Sequence, residues 1–345
     1  MTPCGALSTP FSDRVRGCVR GLSLRFMDGT NSGAAEFRPQ CDISVVIPLY
    51  NKAAEIARAV RSVLAQTLLP REVIVVDDGS TDGGADVVGS LASPLVRLVR
   101  QENRGVSAAR NRGIAMASGR HVALLDGDDR WLPEYLERVT ALIARCPDCG
   151  AYGTGFMVDT GGRLTVGDTP RAEGVVDFFR ESMSRYVLIP SAATLRRDLV
   201  VDAGGFPEGM RMGEDQWLWT VLARRAAVAF TPRPLAVYSR TASNRSAAIF
   251  RPERTHRSFY ELYDPAATDM SNEYVARVAL GKALVQSAGG DTAAAAEALR
   301  FFSYNRLSRR IALKVRVLNA LPCRMRPTVM AAYNRLAWIV ARKGL

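Results

Sequence analysis

Short continuous apolar runs alternate with segments of helical period from residue 43 to residue 126. Ile43-Ser44-Val45-Val46-Ile47 is a β-branched run closed by Pro48-Leu49-Tyr50-Asn51. Residues 52 to 66 then place Ile56, Val60, Val63 and Leu64 at helical spacing, with Arg58 and Arg61 on other faces. Glu72 to Asp77 reads as a second strand, and Gly79 to Gly84 as a turn able to cap the next helix. Leu95 to Val99 is a third, shorter strand. A small-residue helix over Val106 to Ala117 precedes a fourth strand at His121 to Asp126. Val73 to Val76 and Val122 to Leu125 are apolar without interruption, the pattern of strands buried on both faces of a parallel sheet. Strands alternating with helices predict an α/β unit with right-handed crossovers.

Two of these strands end in carboxylates: Asp77-Asp78 in VIVVDDGSTD, and Asp126-Gly127-Asp128-Asp129 in ALLDGDDRW. Parallel strands bring their carboxyl ends to one edge of a sheet, where ligands of open α/β sheets bind. Acidic residues gathered there point to a cation and its phosphate ligand. No GxGxxG follows the first strand, which weighs against a dinucleotide dehydrogenase.

The ordered set SVVIPLYN, VIVVDDGSTDGG, NRGVSAARNRGI, LLDGDDRWLP and GGFPEGMRMGEDQWLW resembles glycosyltransferase family 2, nucleotide-sugar-dependent enzymes of GT-A fold. The likeness covers residues 43 to 240. It implies a Rossmann-like, mostly parallel sheet flanked by helices, and an inverting transferase that uses a divalent cation, Mn²⁺ or Mg²⁺.

The chemistry of such a transfer assigns work to particular residues. A departing nucleoside diphosphate is highly charged, and a hard divalent cation with oxygen ligands stabilises it. By the resemblance, Asp128 and Asp129 hold the ribose and the metal and Asp126 supports them, with the choice of metal ligand left open. Gly127 leaves room for close backbone approach. Asp78 is expected to accept the N3–H of uracil or thymine; a guanine N1–H would also serve. Pro48 and Tyr50 fall to the nucleotide, Tyr50 as a stacking face. Asp77 either binds ligand or ties down the Gly79 to Thr81 turn. Arg104, Arg110 and Arg112 compete as a bidentate phosphate clamp, and Arg110 matches the family's Ala-Arg-Asn step. Asp215 takes the role of general base on the acceptor hydroxyl, with Glu214 orienting it or touching the acceptor. Both also suit the first turn of a helix running to Arg224.

Other features carry less. Cys146 and Cys149 form a CxxC without a second pair of ligands, and the six cysteines suggest no disulfide framework. Many family members have a His after the late strand; here the segment reads Val237-Tyr238-Ser239-Arg240-Thr241-Ala242, so a late diphosphate contact falls to Arg240 or is absent. His256, alone among arginines, reads as a surface residue.

Charge changes the picture at the C-terminal end. The chain has 345 residues and net charge +12, and from Arg306 onward there are ten Lys/Arg and no Asp or Glu. Ile311, Leu313, Val315 and Val317 alternate with Lys314 and Arg316, and Val329, Tyr333, Leu336 and Val340 fall at helical spacing. A basic amphipathic segment suits an anionic membrane surface better than nucleic acid, and equally suits a helix packed on the catalytic domain. No apolar stretch reaches the length of a spanning helix. The arginines at 14, 16, 20 and 25 leave no secretory apolar core.

Three regions follow: an N-terminal extension over 1–40, expected to be loosely ordered; a GT-A-like domain over 41–250; and a basic helical region over 251–345. The expected activity is metal-dependent, inverting transfer of a sugar from a nucleotide donor, UDP foremost. The acceptor is a hydroxyl of a glycan or lipid-linked glycan in cell-surface polysaccharide synthesis. The expected location is the cytoplasm, peripheral to the inner face of the membrane, with no nucleic acid partner. Two alternatives are a nucleotidyltransferase, which would carry a Gly-rich basic loop where Pro48-Leu49-Tyr50-Asn51 stands, and a degenerate sugar-nucleotide binder, against which Asp128, Asp129 and Asp215 speak.

Overall fold

A computed structural model describes residues 40–210, 212–241, 257–303, 305 and 307–332. The N-terminal extension, His256, and Tyr333, Leu336 and Val340 lie outside the described residues.

The predicted alternation is present. Strand β1 (Ile43–Leu49), helix α1 (Ile56–Leu64), β2 (Glu72–Asp77), α2 (Gly84–Gly89), β3 (Val96–Arg100), α3 (Val106–Met116) and β4 (His121–Leu124) follow one another. The chain continues through β5 (Arg130–Trp131), α4 (Tyr135–Arg145), β6 (Ala151–Asp159), β7 (Leu164–Val166), β8 (Gly174–Val176), α5 (Phe178–Ser182), β9 (Ala193–Arg196) and α6 (Arg197–Asp202). It closes with α7 (Glu214–Arg225), β10 (Val228–Ser239), α8 (Ser271–Ala288), α9 (Thr292–Phe301) and α10 (Arg309–Ala320).

All ten strands join one sheet with the central order β3-β2-β1-β4-β9-β6-β10-β5. β3, β2, β1 and β4 are mutually parallel, as are β6 and β10. β9 is inserted antiparallel between β4 and β6. Because β2 and β4 flank β1 in parallel, Asp77-Asp78 and Asp126 to Asp129 emerge at the same sheet edge.

Period-two burial explains the continuous apolar runs. Val46, Ile74, Val76, Val122 and Leu124 face one core with α3, α7 and α8, while Val45, Ile47, Val73, Val75 and Ala123 face another with α1 and α4. Each strand therefore needs apolar side chains at odd and even positions alike. α3 lies so close to β1 that a Cβ on Gly113 would sit 2.4 Å from Val46 Cγ1, which is why this helix is built of small residues. Tyr274, Val275, Ala279 and Leu280 of α8 share the core of the first face, so the C-terminal helices and the sheet close around common side chains.

Candidate functional site

The loops at the carboxyl ends of β1, β2 and β4 are stitched together by their own polar side chains. Asn51 Oδ1 accepts the Thr81 N–H at 2.8 Å, and the Asn51 N–H donates to Ser80 Oγ at 3.0 Å. Asp77 Oδ1 accepts the Ser80 N–H at 2.9 Å, so of its two expected roles the turn-tying one is occupied. Tyr50 stands beside this turn with 42% of its surface exposed, open to a flat ligand, and Pro48 precedes it within β1.

Asp78 is buried and does more internal work than expected. Its Oδ1 accepts from Gln101 Nε2 at 2.8 Å and from the Arg104 N–H at 2.9 Å, and Oδ2 accepts the Gly105 N–H at 2.8 Å. It thus holds the loop that leads into α3. Of roughly four acceptor positions on a carboxylate, three are filled and one on Oδ2 is not.

The acidic run after β4 splits three ways. Asp128 Oδ2 pairs with Lys52 Nζ at 2.9 Å, and its backbone oxygen accepts from Arg58 Nη2 at 2.6 Å. Asp126 Oδ1 pairs with Arg110 Nη2 at 2.7 Å. Asp129, 1% exposed, accepts from the Ser191 hydroxyl at 2.5 Å and from the Ser239 N–H at 2.7 Å. Burial, then Asp126 and Asp128, push its carboxyl well above the ordinary range. Each Asp129 oxygen thus already takes one hydrogen bond, and together they tie the β4 turn to the end of β10.

Arg110 is enclosed as well. A phosphate clamp needs a guanidinium presented to ligand, yet Arg110 is 3% exposed. Nη2 holds Asp126, Nη1 lies 3.3 Å from Glu214 Oε1, and the guanidinium sits 5.2 Å from the centre of the Phe206 ring. Asp126 and Glu214 hold its pKa above the ordinary arginine value despite burial. Arg104 pairs with Glu208 at 2.8 Å, and Arg112 is exposed.

Helix α7 begins where the sequence placed it. Gly213 at its N-cap has φ +86°, a left-handed conformation that side chains disfavour, and a Cβ there would meet Phe259 at 3.1 Å. Glu214 and Asp215 follow in the first turn. Burial and the neighbouring Asp215 raise Glu214 to about 7. Burial also raises Asp215, against the pull of Arg110. Asp126 and Glu214 thus pair with one buried guanidinium, and Asp215 acts on it electrostatically.

Asp126 and Asp215 line one cleft of about 610 Å³. Ser191 and Ile189 continue its wall; Phe156, Tyr186 and Tyr238 add aromatic surface, and Arg163 and Arg240 also line it. Among the described residues, no three carboxylate, imidazole or thiol groups gather as a metal cage. Asp126 and Asp128 nonetheless fit a hard divalent ion that arrives with a diphosphate, since Mg²⁺ takes only one or two carboxylates and keeps oxygen ligands from phosphate and water. Cys41, Cys146, Cys149 and Cys323 are free thiols, so the CxxC is no bridge.

Lys52, Ser191 and Ser239 were not singled out by sequence. Lys52 follows Pro48-Leu49-Tyr50-Asn51 directly, but nothing in its spacing links it to Asp128. The two serines are chemically ordinary, and only the fold brings them to Asp129.

A profile described as glycosyl transferase family 2 matches residues 44–202. Succinoglycan biosynthesis protein ExoU of Rhizobium meliloti (strain 1021) is 31% identical over 293 residues, covering 72% of this chain and 84% of that protein. Glycosyltransferase AglE of Haloferax volcanii is 34% identical over 202 residues, 55% of this chain and 63% of that one. Among solved structures, S. aureus TarS 1–349 in complex with UDP-GlcNAc matches with a TM-score of 0.65 at 18% identity, covering 85% of this chain and 91% of that chain, a likeness of fold.

Proposed function

Because the chain belongs to glycosyltransferase family 2 and is a glycosyltransferase of GT-A-like fold, we propose that it transfers a sugar from UDP to a glycan or lipid-linked glycan hydroxyl, with inversion. One observation carries this: Asp126, from the strand-end acidic run, and Asp215, from a distant helix start, line the same cleft. On this reading a donor-side and an acceptor-side carboxylate share one cleft.

In this mechanism Asp215 takes the proton of the attacking hydroxyl. Glu214, beside it and raised to about 7, keeps the pair from bearing two full charges below neutrality. Asp126 and Asp128 face the ribose and the cation. Tyr50 stacks on the base, and the open Oδ2 position of Asp78 accepts the uracil N3–H. When bound, Mn²⁺ or Mg²⁺ supplies charge stabilisation to the leaving diphosphate. Phe156, Tyr186 and Tyr238 offer the acceptor sugar apolar faces.

The likeness to a succinoglycan biosynthesis protein supports placing this activity in cell-surface polysaccharide synthesis. A peripheral membrane partner is supported by α10, where Val315 and Leu318 are buried while Leu313 and Val317 are 58% and 54% exposed beside Arg309, Arg310 and Arg316. Among the described residues no helix is long and apolar enough to cross a membrane.

The test is a panel of UDP-, GDP- and dTDP-sugars with Mn²⁺, Mg²⁺ or EDTA, read as thermal stabilisation and donor hydrolysis. UDP-sugars should stabilise and be consumed only with metal. Full activity in EDTA, or response to GDP-sugars alone, would overturn the metal or the donor assignment respectively.

A further inference from the structure

Arg110 sits where donor chemistry and acceptor chemistry meet. The two terminal nitrogens of its guanidinium are directed to different motifs: Nη2 to Asp126 at 2.7 Å and Nη1 to Glu214 at 3.3 Å. Its Nε–H has no acceptor, so the fork is aimed by these two contacts rather than by a local one. Phe206 covers it at 5.2 Å, and α3, which carries it, is pressed against β1 through Gly113. A side chain this enclosed has no freedom to swing onto a phosphate, and its charge is already divided between two carboxylates.

We infer that Arg110 is a positioning residue that fixes the donor-side Asp126 and the base motif Glu214-Asp215 at one mutual distance. The inference rests on the proposed roles of Asp126 and Asp215. Its physical basis is the planar fork, which reaches two carboxylates in fixed directions; a lysine ammonium is a single point and serves such a bridge poorly. Misplacement of a reacting group by about 1 Å costs on the order of a hundredfold in rate, and that is the scale at stake.

The experiment compares full-length Arg110→Met, Arg110→Lys and Asp215→Asn for UDP-sugar dissociation constant with Mn²⁺, turnover in transfer, and melting temperature. Arg110→Lys keeps a buried positive charge and remains informative should Arg110→Met fail to fold. Both soluble Arg110 variants should lose roughly ten- to a hundredfold in turnover, with the donor constant changed less than about threefold. A weakened donor constant with normal turnover would make Arg110 a phosphate clamp. Normal turnover in Arg110→Lys would mean that charge alone suffices, and a lowered melting temperature with normal turnover would leave only a structural role; each overturns the inference. If Asp215→Asn is impaired while the Arg110 variants are normal, this inference alone fails. If Asp215→Asn retains normal turnover, the base assignment fails instead.

Discussion

Asp129 provides the sharpest test of how the acidic run divides its labour. Asp129→Ala removes the acceptor of two buried donors, the Ser239 N–H at 2.7 Å and the Ser191 hydroxyl at 2.5 Å. A buried donor left unsatisfied costs about 1–3 kcal/mol. The Ser239 amide cannot turn away, whereas the Ser191 hydroxyl can rotate, so the expected loss is about 2–4 kcal/mol rather than the sum of two maxima. That is a large share of the roughly 5–15 kcal/mol by which folded domains are stable. Asp129→Asn keeps a carbonyl for Ser239 and offers Ser191 an amide donor, so it should cost only about 1 kcal/mol. Urea unfolding of the two variants measures this, and Mn²⁺ affinity in the presence of UDP is measured on the same samples. The reasoning fails if Asp129→Ala is as stable as the parent but has lost the metal, because Asp129 would then be a ligand and not a brace.

Glu214→Gln should remove the ionisation near pH 7 from the pH–rate profile and leave Asp215 to titrate alone; a step near 7 that survives would count against a coupled pair. The same group bears on stability: its carboxyl, raised from 4.5 to about 7, keeps a proton in the folded state that the unfolded chain releases. Its contribution is therefore present at acid pH and lost as pH rises toward 7, and Glu214→Gln should flatten the stability profile over that window in urea titrations. On the membrane side, the full chain should sediment with phosphatidylglycerol vesicles and not with phosphatidylcholine ones. Leu313→Ser/Val317→Ser should weaken that binding at least tenfold, and equal binding to neutral vesicles would remove the electrostatic case.

What could be read before folding is whatever leaves a local, periodic trace. Residues in β1, β2 and β4 are buried on both faces, and that condition writes itself as unbroken runs such as Val73 to Val76. Carboxylates placed directly after such runs must reach one sheet edge if the strands are parallel. Glu214 and Asp215 likewise begin the helix their pattern suggested. β9 left no comparable trace: its four residues, Ala-Thr-Leu-Arg, become an antiparallel strand because β4 and β6 leave a place between them. Partner choice among polar groups is equally non-local. Asp129 reaches Ser239, Asp128 reaches Lys52 and Arg110 reaches Glu214 across long stretches of chain, and no spacing rule distinguishes these partners from others.

Those same pairings alter how the diphosphate must be met. Motif matching offered Arg110, Arg104 and Arg112 as phosphate ligands, but Arg110 is buried between carboxylates and Arg104 is paired with Glu208. Lys52, near the acidic run, is engaged by Asp128. The cations closest to the chemistry are thus committed to holding anions of the protein itself. Arg163 and Arg240 line the cleft together with Asp126, Asp168 and Asp215. A diphosphate entering beside Asp126 and Asp128 meets like charge unless it brings positive charge with it. On the proposed mechanism Asp126 and Asp128 would hold a divalent cation, which would supply that positive charge. Loss of donor affinity in EDTA, and not merely loss of turnover, is therefore what this distribution of charge requires.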